Sequence, residues 1–312
     1  MAKIHPATFA VVMTPFILAT KTAAALGVAT PLLRAFLSAT YPRRVAEFET
    51  YEATKHDVFI ATFAKSGTNL AMQIAQQIAY LGEAEFDHIH DFVPWPEANM
   101  PGLVALDDMR VCEASPTKLR VIKTHASLEL VPYAAQARYL TVIRDPKEVV
   151  VSAYHFILGL LGVKHRISAQ QWAALVVEPG LLCEIWAAHT ASAWAVRERP
   201  NQLVIEFGEL LADQVGMIER IAAFMGVSPT AAQLEAIIER SSFAYMRAHE
   251  AQFQPPRLPL VGRGAKMIRR GQSKASDELL DAEARAEIDR FCRAELERRE
   301  SDFPYDEMFG GA

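Results

Sequence analysis

One junction limits the fold more than any other part of the chain. Asp57-Val-Phe-Ile-Ala-Thr-Phe63 is a short apolar, β-favouring run that stops at the small-residue turn Ala64-Lys-Ser-Gly-Thr68. The next segment sets Leu70, Ile74, Ile78 and Leu81 at helical spacing and ends on Gly82. Three more runs read as buried strands: Leu119–Thr124, Arg138–Arg144 and Gln202–Phe207. The second of these runs into Asp145-Pro146-Lys147-Glu148, a helix start with Asp as N-cap, Pro at the first helical position and Glu at the third. Gln202–Phe207 precedes a helix expected from about Glu209 to Phe224, closed by Gly226. Short apolar strands alternating with amphipathic helices imply an α/β fold, a central parallel sheet flanked by helices. Ligands in such folds sit at the carboxyl ends of the strands, where all these polar turns lie.

Between these elements, residues 87–116 contain Pro94, Pro96 and Pro101 with no clear period and read as loop with short helices. Near the C-terminus Leu280, Ala284, Ile288 and Phe291 form an apolar stripe. Asp281–Arg285, Asp289–Arg293 and Glu295–Arg299 stand four apart on the same helix, a solvated face. With no repeat or low-complexity linker, the reading is one domain over residues 51–312 after a helical N-terminal extension over 1–50. In that extension Ala7–Thr20 and Thr22–Leu33 are apolar and Lys21 interrupts them. Neither run reaches the roughly 18–20 residues of a spanning helix. Packed or membrane-surface helices come first, a monotopic anchor second and a cleaved signal third.

The net charge of −5 argues against bulk nucleic-acid binding, so an anion must be held by a local cluster of donors. Cys112, Cys183 and Cys292 have neither metal-ligand nor disulfide spacing and fit a reducing, cytoplasmic compartment, with membrane association through the N-terminal segment kept open. Ala64–Thr68, between strand and helix, is such a cluster: backbone N–H groups and the helix dipole converge there, Lys65 adds charge, and Ser66 and Thr68 add hydroxyls. The two glycines of a Walker loop are Phe59 and Ala64 here, so this is no standard triphosphate loop. An ordinary strand-to-helix turn with an exposed lysine fits the same residues. Arg144 at a strand end, Ser152 eight residues on, and Arg269-Arg270-Gly271 after a Pro/Gly-rich loop suit a second phosphate, although each alone could be a surface group. His125 is the one histidine of nine that ends a buried strand beside these loops; His88, His90 and His155 are weaker candidates. Nothing here requires a metal.

Taken in order, these segments resemble the cytosolic-type sulfotransferases. Thr62-Phe-Ala-Lys-Ser-Gly-Thr-Asn69 is similar to their 5'-phosphosulfate loop, T-Y-P-K-S-G-T-T. Tyr139–Phe156 resembles their 3'-phosphate segment, Arg269-Arg-Gly271 their late R-K-G element, and Ile122-Lys-Thr-His125 the stretch carrying the catalytic histidine. Ser241-Ser-Phe243 with Met246 is similar to the adenine-side T-S-F-x-x-M.

The resemblance implies a sulfotransferase fold and a donor, 3'-phosphoadenosine 5'-phosphosulfate (PAPS), with adenosine 3',5'-bisphosphate (PAP) as product. Lys65, His125 and Ser152 would form the catalytic set, with Lys65 on the leaving phosphate and His125 as base. Lys65, Ser66, Gly67, Thr68 and Asn69 would hold the 5'-phosphate. Arg144, Ser152, Arg269, Arg270 and Gly271 would hold the 3'-phosphate, and Phe207, Ser241, Phe243 and Met246 the adenosine side. Lys123, His125, Phe92 and Trp95 would face the acceptor, a small molecule or lipid, since the variable loops Phe86–Pro101, Gly159–Val177 and Gln252–Val261 are largely apolar. The family's aromatic after the loop is Leu70 here, the tyrosine of its Y-E-D segment is Phe207, and Gln272–Ser276 replaces its G-D-W-K stretch. Only Lys274 and Glu283 could match the family's dimer motif, which leaves the oligomeric state open. A nucleotide-dependent kinase of related fold and a non-catalytic, membrane-docking nucleotide-binding protein are the alternatives.

Overall fold

The computed structural model describes residues 6–41, 43–98, 100, 102–254, 267–268 and 279–310. Two helices, α1 (Pro6–Ala25) and α2 (Thr30–Thr40), come first, followed by β1 (Asp57–Ala61) and α3 (Thr68–Ala79). Then come α4 (Arg110–Ala114), β2 (Arg120–Thr124), β3 (Arg138–Ile143) and α5 (Pro146–Ala153). A π-helical turn over Tyr154–Leu158 leads into α6 (Gly159–Leu161), α7 (Ala169–Val176) and α8 (Leu182–Trp194). The last strand, β4 (Gln202–Glu206), is followed by α9 (Phe207–Ala212), α10 (Gln214–Met225), α11 (Ala231–Ser241), α12 (Phe243–Ala248), α13 (Ala282–Arg298) and α14 (Tyr305–Phe309).

The four strands pair in parallel in the order β2-β1-β3-β4. β1, β2 and most of β3 are buried along their length, as strands covered on both faces must be. Register aligns their carboxyl ends: Ala61 sits opposite Thr124, and Ile143 opposite Glu206. The residues that follow, Thr62, His125, Arg144 and Phe207, therefore emerge along one edge of the sheet. At the opposite edge a buried ion pair, Arg120 Nε to Asp57 Oδ1 at 2.8 Å, ties β1 to β2.

The expected helix from Glu209 to Phe224 is two helices. Asp213 interrupts it, accepting from the Gly216 N–H at 2.9 Å and so starting α10 afresh. Asp145 does cap α5, through the Lys147 N–H at 2.8 Å, but Glu148 turns to Arg144 and takes no part in the cap. In α13 Ile288, Cys292 and Leu296 are buried, Leu280 is buried just before the helix, and Ala284 and Phe291 pack partly buried against the same core. Of its expected pairs Glu295–Arg299 forms, at 3.8 Å, while Asp289 meets Lys147 at 2.6 Å and Arg293 meets Asp306. α1 and α2 lay Ile17, Ala24, Leu33 and Leu37 against the same core as α5 and α8. Pro15 lies inside α1, and the break between the helices falls at Leu26–Ala29, not at Lys21.

Candidate active site

The loop after β1 is shaped by two left-handed residues, Lys65 (φ 68) and Gly67 (φ 99). A Cβ on Gly67 would lie 2.6 Å from two carbons of the Phe207 ring, so only glycine fits under that ring. The hydroxyls of Ser66 and Thr68 are buried and have no hydrogen-bond partner among the described residues. Buried polar atoms are normally paired, and here both sit at the N-terminus of the 12-residue α3, where an anion is favoured. The Lys65 ammonium lies 4.0 Å from the centre of the Phe156 ring, which the π-helical turn carries, and 4.0 Å from Met267 Sδ.

Arg144 braces this loop from the neighbouring strand. Its Nη1 donates to the Lys65 carbonyl at 3.0 Å and its Nη2 to Glu148 at 3.2 Å, while the guanidinium lies 4.5 Å from the centre of the Phe207 ring. Ser152 is one turn beyond Glu148 on α5, and Asn69 is the half-buried second residue of α3. Ser241 closes α11 with a buried hydroxyl that also lacks a partner among the described residues. Met246 is buried in the cluster that holds Phe207 and Leu70, while Phe243 is 44% exposed. Arg269, Arg270 and Gly271 lie outside the described residues, as does most of the last acceptor-side loop.

A second group assembles beside this cradle. The Thr62 carbonyl stands 2.7 Å from His125 Nδ1. A carbonyl can only accept, so Nδ1 carries the proton and Nε2 keeps its lone pair. Burial holds the His125 pKa well below the ordinary histidine range. The charge of Lys123 adds to that, and the Thr62 hydrogen bond opposes it. Lys123 lies over Trp95, its ammonium 3.2 Å from the centre of one ring, and burial pulls its pKa down while Glu97 pulls it back up. Trp95 in turn meets His125 edge-on at 5.4 Å and stacks on His90 at 5.5 Å.

Glu97 and His189 complete this side, and sequence reasoning missed both. One oxygen of Glu97 accepts from the His125 backbone N–H and from the Thr124 hydroxyl, the latter at 3.1 Å. Burial raises its pKa. Its only sequence signal is a lone carboxylate after Trp95-Pro96 in a loop without period. His189, inside α8, meets the Phe63 ring at 5.8 Å, and burial lowers its pKa to about 4. Phe92 joins a different aromatic group, packing on Tyr80 at 5.6 Å and Phe86 at 6.0 Å. His88 and His90 each bond a backbone carbonyl, of Gln254 at 2.7 Å and Val93 at 2.8 Å.

Comparison with known proteins gives the family and the fold. The family described as the sulfotransferase domain matches residues 55–300. Human sulfotransferase 4A1 is 28% identical over 227 residues, 71% of this chain and 76% of that protein. Sulfotransferase 2A1 of Macaca fascicularis is 28% identical over 224 residues, 70% of this chain and 76% of its own. Among solved structures, mouse sulfotransferase SULT7A1 in complex with PAP superposes with a TM-score of 0.61 at 20% identity, covering 85% of this chain and 93% of that one. Retinol dehydratase in complex with retinol and PAP gives 0.60 at 21%, covering 84% and 86%; at such identities the likeness speaks for the fold. With the family match spanning most of the chain, this protein belongs to the PAPS-dependent sulfotransferases.

Proposed function

We propose that this enzyme sulfates a hydroxyl (or amine) on an apolar small molecule or lipid, with His125 as general base and Lys65 stabilising the leaving phosphate. The observation that carries the assignment of the base is the hydrogen bond from His125 Nδ1 to the Thr62 carbonyl. It fixes the tautomer, and burial keeps the ring neutral, so Nε2 is ready to take the acceptor's proton. The carbonyl belongs to the loop that carries Lys65, which couples base and phosphate cradle through three residues.

The hydroxyls of Ser66, Thr68 and Ser241, which lack a partner among the described residues, fit a nucleotide with several phosphate oxygens. In this reading Ser66, Gly67, Thr68 and Asn69 hold the 5'-phosphate; Arg144 and Ser152, with Arg269, Arg270 and Gly271, hold the 3'-phosphate. Phe207, Ser241, Phe243 and Met246 face the adenosine. Bound PAPS supplies the activated sulfuryl group. As the acceptor oxygen attacks sulfur, its proton passes to His125 Nε2, and the Lys65 ammonium meets charge developing on the departing phosphate. In this reading Lys123 and the Trp95 and Phe156 rings face the acceptor, and the two rings favour an apolar one. Retinol dehydratase, of the same fold, holds retinol in one structure and androsterone in another.

Calorimetric titration with PAP and with ATP tests the nucleotide half: PAP should bind at least about a hundredfold more tightly, and the reverse order would favour a kinase. For the base, His125→Ala should keep PAP affinity and lose about two to four orders of magnitude in turnover on a phenol or sterol acceptor. Full turnover in that variant would remove His125 from the chemistry.

A further inference from the structure

Charge is unevenly spread along this chain. Its net charge is −5, yet residues 1–46 contain Lys3, Lys21, Arg34, Arg43 and Arg44 and no Asp or Glu. The stretch between Glu148 and Glu178 is also free of acidic residues and contains Lys164, His165 and Arg166. The fold joins these regions. α1 packs on α6, and the Lys21 side chain lies across Gly162, where an added Cβ would meet its Cε at 2.6 Å. Two residues on, Lys164, His165 and Arg166 form an exposed turn.

α1 turns Ile17, Thr20 and Ala24 inward. Its outer arc, at spacings of three and four, is Val11, Pro15, Leu18, Thr22 and, just past its end, Leu26, all exposed and none charged. A helix on a water-facing surface normally turns its charges outward. Val11, Leu18 and Leu26 are 70%, 49% and 72% exposed, and Val28 in the following turn is 60% exposed. Four of the seven large exposed hydrophobic residues among those described thus lie within 18 positions of one another. No helix among the described residues is long and apolar enough to cross a membrane.

We propose that the outer arc of α1 and the Leu26–Val28 turn dock on the surface of an anionic lipid bilayer, with Lys164, His165 and Arg166 at the headgroups. An apolar strip bordered by basic residues is the chemistry such a surface selects. A second copy of the chain is a poorer partner, because two-fold pairing of this face would bring two basic surfaces together. Arg34 and Arg44 already pair with Glu178 and Glu49, so the charge proposed to meet the lipid is that of Lys164 and Arg166.

The test is co-sedimentation of the full chain with vesicles of phosphatidylcholine alone and of phosphatidylcholine mixed with phosphatidylglycerol. Binding is expected to the mixed vesicles and should weaken as salt rises. Leu18→Glu with Leu26→Glu, and separately Lys164→Glu with Arg166→Glu, should each lower partitioning about tenfold or more. Both double variants should bind PAP as the parent does, which reports an intact fold independently of the acceptor. No binding to either vesicle, or equal binding by all forms, overturns the proposal. So does a solution dimer that the Leu18→Glu, Leu26→Glu form alone loses, with no vesicle binding by the parent; that result assigns the face to a second copy.

Discussion

The two halves of the site are built in opposite ways. The half proposed to hold the 5'-phosphate is contiguous: residues 62–69 turn between β1 and α3, and it is lined by backbone, small hydroxyls and one lysine. The half proposed to transfer the proton is gathered from Trp95 and Glu97 in an irregular loop, Lys123 and His125 at the end of β2, and His189 in α8, all largely withdrawn from water. The first half depends on conformation, the second on a balance of buried charge. Each should therefore fail in its own manner.

Gly67→Ala should do the most damage. It forces a Cβ into the Phe207 ring at a backbone angle that side chains avoid, so we expect a loss of about 3 kcal/mol in unfolding free energy, read by denaturant titration, and weaker PAP binding. Adding Phe207→Ala should recover the clash and leave the backbone part. Complete recovery, or no effect of Gly67→Ala at all, would mean that conformation does not govern this half.

His189 probes the other half through stability. Its folded pKa of about 4 lies below the free value of 6.5, so between these limits the unfolded chain binds the extra proton. Stability should fall as pH drops from about 6.5 to about 4, by roughly 1.4 kcal/mol per unit at most. His189→Gln should flatten that window by about 3 kcal/mol in total, and an unchanged slope would rule the histidine out as its cause.

The smallest effect expected is on His125, the base in the proposed reaction. Lys123 helps to hold the His125 pKa down, so Lys123→Met should stabilise the imidazolium and move the acid limb of kcat/KM upward. A downward shift would mean that Lys123 does not act on His125 by charge.

Legibility in the sequence follows the same division. All four strands fall where apolar runs and turn residues set them, because a strand buried on both faces needs an unbroken apolar stretch. The β1–α3 loop is readable for the same reason: its chemistry is local. Glu97 was invisible because its partner is the backbone N–H of His125, 28 positions away, and nothing in a loop without period announces such a pairing. The Thr62 carbonyl that sets the His125 tautomer is a main-chain atom and leaves no mark on residue type. The split at Asp213 had a local signal, a good N-cap residue in mid-helix, which the apolar period on either side outweighed.

Lys65 holds a left-handed backbone that glycine would adopt without strain, at a saving of about 1 kcal/mol. Lys65→Gly would then relax the loop while deleting the charge assigned to the leaving group. Selection of variants for heat resistance alone would drift toward that substitution and, on the proposed role of Lys65, enrich proteins that fold better and transfer sulfate more slowly. Any stabilised version of this enzyme has to be chosen by turnover as well as by melting temperature.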